Sequence, residues 1–297
     1  MNPAVAVVIP AYNAARTIGD TLRALQQQKI AERPEIIVVD NGSSDDTARV
    51  AGEHGARVLT ESRRGPSAAR NRGLYATTAH VVAHLDADTV PSRRWLAELS
   101  APFADMATVI VAGNTQCYPP ATAAERYVAA AGLYDTPRAI GRTPFPFVPS
   151  LNMAVRREAA LAIGGWAEDM PTGEDVDFSH RILKAYAATI VYAPGALLYH
   201  RTRSDRDALR RQAWTYGEGA AQLYLRYPEE LRWTFSKSVA LASQLTRRAY
   251  GPLLCRAAIQ LGRADRSQLE FAEYHRLWSI TFWRGFFEVY LRKGRVA

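Results

Sequence analysis

What most constrains this chain is the regular alternation, in its first half, of short apolar runs with helical patterns. VAVVIPAY (5–12), EIIVVDNG (35–42), ARVLTES (56–62), HVVAHLDADTV (80–90) and ATVIVAGNTQ (107–116) read as strands, because β-branched runs bounded by turn residues suit strands buried on both faces. Helices lie between them. ARTIGDTLRALQQQ sets Ile18, Leu22 and Leu25 on one face, SSDDTARVAGEHG opens on polar residues and closes on glycine, and PSAARNRGLYATT has Pro66 near its first turn. PSRRWLAELSAPF reads as a further helix. Strands joined by helices make a mainly parallel central sheet, an α/β fold.

Between Cys117 and Pro149 the rhythm breaks into a proline-rich stretch around one alanine-rich helix, AAERYVAAAGLY. LNMAVRREAALAIGGW, a helix with an acidic start (GEDVDFSHRILKAY) and a last strand (ATIVYAPGALLYH) follow. Everything after His200 is helical in pattern and basic, which predicts an α/β domain over 1–200 and a helical extension over 201–297. Residues 201–297 hold 18 Lys/Arg against 9 Asp/Glu, so all of the chain's +8 lies there; such a surface faces an acidic partner or is simply solvated.

With 48% apolar residues in 297, there is enough for a sizeable core. Cys117 and Cys255 lie far apart without metal-ligand spacing and read as free thiols of a reducing compartment. The N-terminus has no basic leader, and no window reaches the roughly 18 uncharged apolar residues of a spanning helix. The expectation is a cytoplasmic protein, soluble or peripheral at the inner face of the membrane.

Ligands of open parallel sheets bind beyond the carboxyl ends of the strands. Three polar clusters fall there: the IPAYN turn, Asp40-Asn41-Gly42-Ser43, and Asp86-Ala87-Asp88. HLDADTV by itself fits three readings. It resembles the nucleophile motif of haloacid-dehalogenase-type phosphatases, with Asp86 attacking and Asp88 as acid/base. That reading lacks a lysine between Asp88 and GEDVDF and leaves three preceding strand–helix units without a task. The pair could instead merely end a strand and cap a helix. The third reading has the carboxylates holding Mg²⁺ or Mn²⁺ against a nucleotide diphosphate, the metal neutralising charge on the leaving group.

VVIPAYN, VVDNGSSDDT, GPSAARNRG, HLDADTV, LNMAVRREAALAIGGW and GEDVDF occur together in the order and spacing of family 2 glycosyltransferases. Over about the first 200 residues the chain resembles an inverting enzyme of that family, with a GT-A-type nucleotide-binding fold. The resemblance implies that Pro10, Ala11 and Tyr12 line the base, and that Asp40 accepts from the N3–H of a uracil or thymine. It places Asn41 where many relatives carry a second aspartate, and Gly42 and Ser43 where the backbone approaches the donor closely. Arg70 and Asn71 would lie near the base or diphosphate, Asp86 and Ala87 near ribose and metal, and Asp88 directly on the metal. Asp175, supported by Glu174, would be the base that takes the acceptor proton, with Asp177 in an orienting role. Two readings stand for Trp166, stacking on an acceptor sugar or core packing, and two for His200, a further metal ligand or a structural histidine. Arg201 and Arg203 fall on a loop expected to close over the diphosphate, and His54, His80 and His84 read as scaffold.

The function implied is metal-dependent inverting transfer from a nucleotide-sugar, UDP-linked, to a hydroxyl of a glycan, lipid-linked or small-molecule acceptor. The alternatives are a phosphatase or a member of the fold that binds nucleotide-sugar or glycan without turnover. For the last helix, whose apolar side carries Trp278, Phe282, Trp283, Phe286, Phe287 and Leu291, the readings are packing on the catalytic domain or a second subunit, contact with an anionic membrane, and, least favoured, nucleic-acid binding.

Overall fold

The apolar runs become strands wherever both faces are covered. β1 (Val5–Ala11), β2 (Glu35–Asp40) and β3 (Arg57–Thr60) pair in parallel in the order β3-β2-β1, separated by α1 (Ile18–Gln26) and α2 (Thr47–Glu53). The computed structural model describes residues 4–293. α1 buries Ile18, Leu22 and Leu25, the stripe that its spacing predicts, and Thr21 beside them. α3 (Pro66–Ala76) leads into β4 (Val81–Leu85), which pairs in parallel with β1.

The run read as one strand over 80–90 is two. It breaks at Asp86, turns through Ala87 and Asp88, and resumes as β5 (Thr89–Pro91). Then come α4 (Trp95–Ser100), a short 3₁₀ turn (Ala101–Ala104), β6 (Ile110–Cys117), α5 (Ala123–Ala131), α6 (Thr136–Ile140), β7 (Asn152–Arg156), α7 (Arg157–Ala162), α8 (Glu174–Tyr186) and β8 (Val191–His200). Among the described residues the strands form one eight-stranded sheet, β3-β2-β1-β4-β7-β6-β8-β5. β7 runs antiparallel to both neighbours and β5 antiparallel to β8, while the other pairings are parallel. The core between sheet and helices includes Val8, Ile37, Val82, Ile110, Met153 and Phe178.

Two compact units emerge. One is Met1–Tyr118 with Tyr134–Arg201; the other is Pro119–Leu133 with Thr202–Ala297. The sheet lies in the first. The second comprises α5, α9 (Arg206–Arg226), α10 (Phe235–Gln260) and α11 (Arg266–Lys293). The alanine-rich helix thus belongs with the C-terminal helices: α5 is fixed by a capping box of Thr122 and Glu125, and its Arg126 pairs with Glu270 of α11 at 2.9 Å. α11 packs most extensively on α9. A Cβ on Gly217 would overlap the Phe282 carbonyl, and one on Gly285 the Trp214 carbonyl, so these helices cross at a distance that only glycine permits. Phe286 is fully buried against Tyr224 and Trp233, while Trp278, Phe282, Trp283 and Phe287 of the same side are half-buried and Leu291 is exposed.

Candidate active site

Strand order places the polar clusters side by side. Because β2, β1 and β4 are adjacent and parallel, with Ala11 opposite Asp40, the segments after all three emerge at one end of the sheet. The first two are laced together. The Asn13 backbone N–H donates to Ser43 Oγ (2.9 Å), Ala14 N–H to Thr47 Oγ1 (2.7 Å), and Ser44 N–H to Asn13 Oδ1 (2.8 Å). Asn13 is held at φ +49° and Gly42 at φ +73°, the left-handed region that asparagine and glycine tolerate. Asp40 is buried and accepts from Ser43 N–H at 3.3 Å. Pro10 and Ala11 lie in β1, while Tyr12 is exposed with the Arg64 guanidinium 4.3 Å from its ring centroid.

Asn41 is buried and directed inward. Its amide donates to the carbonyls of Glu61 (2.9 Å) and Arg63 (2.7 Å) and accepts from Gly65 N–H (2.8 Å). An aspartate could not make the two donations. Asn41 therefore fastens the 61–65 loop, which carries Arg64. Asn71 does the same on the other side, donating to Trp166 O (2.9 Å) and Glu168 (2.7 Å) while accepting from Trp166 N–H (2.8 Å). Both amides point at protein loops.

The Asp86-Ala87-Asp88 turn is pinned from below. Thr21 Oγ1 of α1 donates to the Ala87 and Thr89 carbonyls (3.1 and 2.7 Å), and Thr89 Oγ1 to Asp86 O (2.6 Å). Since β5 pairs with β8, Thr89 lies opposite His200, which brings His200 Nε2 to 3.4 Å from Asp88 Oδ1. His200 is buried edge-on to the Tyr134 ring at 4.4 Å. A carboxylate and an imidazole this close suit Mn²⁺ or Mg²⁺ if phosphate oxygens and water complete the shell. Among the described residues no group of three or more His, Cys, Asp or Glu gathers around one point.

Arg70 is the hub. It is 2% exposed and donates to Asp86 Oδ1 at 3.0 Å and to Glu174 Oε1 at 2.9 Å. One buried guanidinium thus joins the Asp86 turn to the start of α8, a planar fork suited to two carboxylates. Glu174 and Asp175 open α8 after Gly173, itself at φ +79°. Burial pushes the carboxyl of Asp175 up to about 7, the neighbouring Glu174 adds to the rise, and Arg70 opposes it. Burial also raises Glu174, against the pull of Arg70. Asp177 is fully buried and bound to Arg181 of the same helix, whose Nε donates at 2.8 Å, while Arg181 also donates to Ile163 O (2.8 Å).

Of the two readings for Trp166, stacking on an acceptor sugar is corrected. Trp166 is 2% exposed, stacked on Phe178 at 4.1 Å with the Arg70 guanidinium 5.0 Å from its ring centroid, so it packs the core and offers no face to an acceptor sugar. Arg201 opens the 201–205 loop, with its side chain held by Asp20 (2.7 Å) and lying over the Tyr118 ring (4.6 Å). His84 is buried edge-on to Trp166, and burial first, then Arg70, holds it neutral. The sequence reading passed over Arg64, Glu168 and Tyr134. Only Arg64, beside the GPSAARNRG motif, carried a local signal.

The model of glycosyl transferase family 2 matches residues 6–164. A pre-mycofactocin glycosyltransferase of Mycobacterium tuberculosis is 36% identical over 242 residues, covering 76% of this chain and 48% of that protein. The chain therefore spans about half the length of this relative. Among solved structures, the mannosyltransferase PcManGT from Pyrobaculum calidifontis, in complex with GDP-Man and Mn²⁺, aligns with a TM-score of 0.59 at 20% identity, over 95% of this chain and 87% of that one. Glucosyl-3-phosphoglycerate synthase from M. tuberculosis, in complex with Mg²⁺ and UDP, aligns with a TM-score of 0.58 at 22% identity, over 75% and 79%. These likenesses speak to the fold, which is of the GT-A type. The family match also sets aside the phosphatase alternative: with more than half of its sequence covered, the chain belongs to glycosyl transferase family 2.

Proposed function

We propose that this chain transfers a sugar, with inversion, from a UDP-linked donor to an acceptor hydroxyl. The observation that carries the reading is geometric: buried Arg70 joins the Asp86 turn (3.0 Å) to Glu174 (2.9 Å) at the start of α8, where Asp175 follows, its carboxyl pushed up to about 7 by burial. A base with a pKa near neutrality is suited to collecting a proton in the transition state. Asp175 accepts the acceptor proton as that oxygen attacks the anomeric carbon; the bond from that carbon to the diphosphate oxygen breaks, and the nucleoside diphosphate leaves with the bonding electrons. A divalent cation, held by Asp88 and His200 with Asp86 alongside, would neutralise charge on the departing diphosphate. Asp40 receives the base N3–H, and Pro10, Ala11, Tyr12, Gly42 and Ser43 shape the cleft around the base. Asn41 and Asn71 act through the loops they fasten, and Ala87 through the turn it completes.

Incubation with a panel of UDP-sugars, Mn²⁺ and mixed glycan or small-molecule acceptors should release UDP, and chelation should stop the release. If no UDP appears from any donor in the panel, the proposal fails in favour of a binding-only protein.

A further inference from the structure

The helical unit has a surface that sugar transfer does not explain. α10 spans about 39 Å at the usual helical rise, yet Leu241 and Pro252 are its only buried residues. Phe235 (85% exposed), Val239, Tyr250, Leu253, Leu254 and Leu261 at its C-cap are all exposed. Positions 235, 239, 250 and 253 recur at whole-turn separations and form an apolar stripe on one side of the helix, with Ala242, Ser243 and Thr246 at its middle and Leu261 just beyond its end.

The stripe continues into an open groove of about 1210 Å³ between α10 and α11, which Tyr250 also lines, together with Leu245, Trp283, Phe287 and Leu291. Charge accompanies it. α10 carries Lys237, Arg247, Arg248 and Arg256 and not one aspartate or glutamate. Arg256 pairs with Glu273 at 2.7 Å, and the groove rim adds Arg284 and Arg292 around Glu288.

We propose that α10 and the adjoining groove form a docking surface for an anionic lipid bilayer. Lys237 donates to the Arg232 carbonyl and lies over the Tyr224 ring, so the cations beside the stripe and groove are the exposed Arg247, Arg284 and Arg292. An acid-free helix with an apolar side and such a rim is suited to lie in a membrane interface, where acyl chains meet the apolar side and acidic headgroups meet these arginines. Charge argues against a second copy of this chain, because stripe-to-stripe packing would bring two acid-free, basic helices together. No helix among the described residues is long and apolar enough to cross a membrane, so the contact is with the surface. Of the apolar side of α11, the segment singled out in the sequence, Phe286 is buried within the unit, while Trp283, Phe287 and Leu291 line the groove beside α10.

The test is sedimentation of the full chain with sucrose-loaded vesicles of phosphatidylcholine alone and of phosphatidylcholine with phosphatidylglycerol. Binding is expected to the anionic vesicles, to weaken as salt rises, and to fall by roughly a hundredfold in Val239→Asp/Leu253→Asp. Both positions are exposed, and an unchanged far-UV spectrum checks that the variant folds. Absence of binding to anionic vesicles overturns the proposal, as does equal binding by wild type and variant. A dimer that the same variant abolishes, without vesicle binding, assigns the surface to a second copy instead.

Discussion

Replacing Asp175 with asparagine should lower the rate of UDP release from a UDP-sugar by about 10³-fold, while UDP binding stays within about threefold of wild type. Asparagine keeps the shape and the local polarity at the start of α8 but cannot take up a proton. Because Asp175 is raised to about 7, the wild-type rate should climb as pH rises through that value and then level off. The same shift has a stability consequence of opposite sense. The folded state favours the protonated carboxyl, so its stabilising effect is full below the ordinary value of 3.8 and is lost as pH rises to about 7. Asp175→Asn should therefore melt higher than wild type at pH 8 and show no such gain at pH 4. A variant with wild-type rate, or a rate flat across pH 6 to 8, would remove Asp175 from the role of base.

The second large effect belongs to Arg70. Arg70→Met should destabilise the sheet-containing unit by about 3–5 kcal/mol, because it leaves Asp86 and Glu174 facing each other without their shared cation. Lysine should rescue little, since a single ammonium cannot reproduce a fork with one nitrogen on each carboxylate. Adding Glu174→Gln to Arg70→Met should recover part of the loss, the non-additivity expected of residues in one network. Urea unfolding monitored by circular dichroism measures all of these. An Arg70→Met protein as stable as wild type would mean that the bridge between the Asp86 turn and α8 carries no weight.

Strand positions and the convergence of three polar clusters were legible because uninterrupted β-branched runs report burial directly, and parallel strands send their ends to the same side. Direction was less legible. Nothing in LNMAVR announces that β7 runs antiparallel, since periodicity records which faces are covered and not which neighbour covers them. The break of HVVAHLDADTV into β4 and β5 was hidden for a related reason: the Asp86 turn is fixed by Thr21, a residue 65 positions earlier in the chain. Trp166 and Arg70 show the limit for side chains. Both lie in motifs that the sequence singles out, but their burial and their partners Phe178, Asp86 and Glu174 follow from packing between distant segments. The pairing of α5 with the C-terminal helices was likewise invisible, because Arg126 and Glu270 are 144 residues apart.

The central claim is that this end of the sheet binds a nucleoside diphosphate together with a divalent cation. Thermal unfolding with UDP, with Mn²⁺, and with both tests it most directly. The pair should raise Tm by about 5 °C at roughly a hundredfold excess over Kd, far more than either alone. Asp88→Asn should abolish the Mn²⁺-dependent part. No metal-dependent shift with UDP, dTDP or GDP, or an undiminished shift in Asp88→Asn, would contradict it.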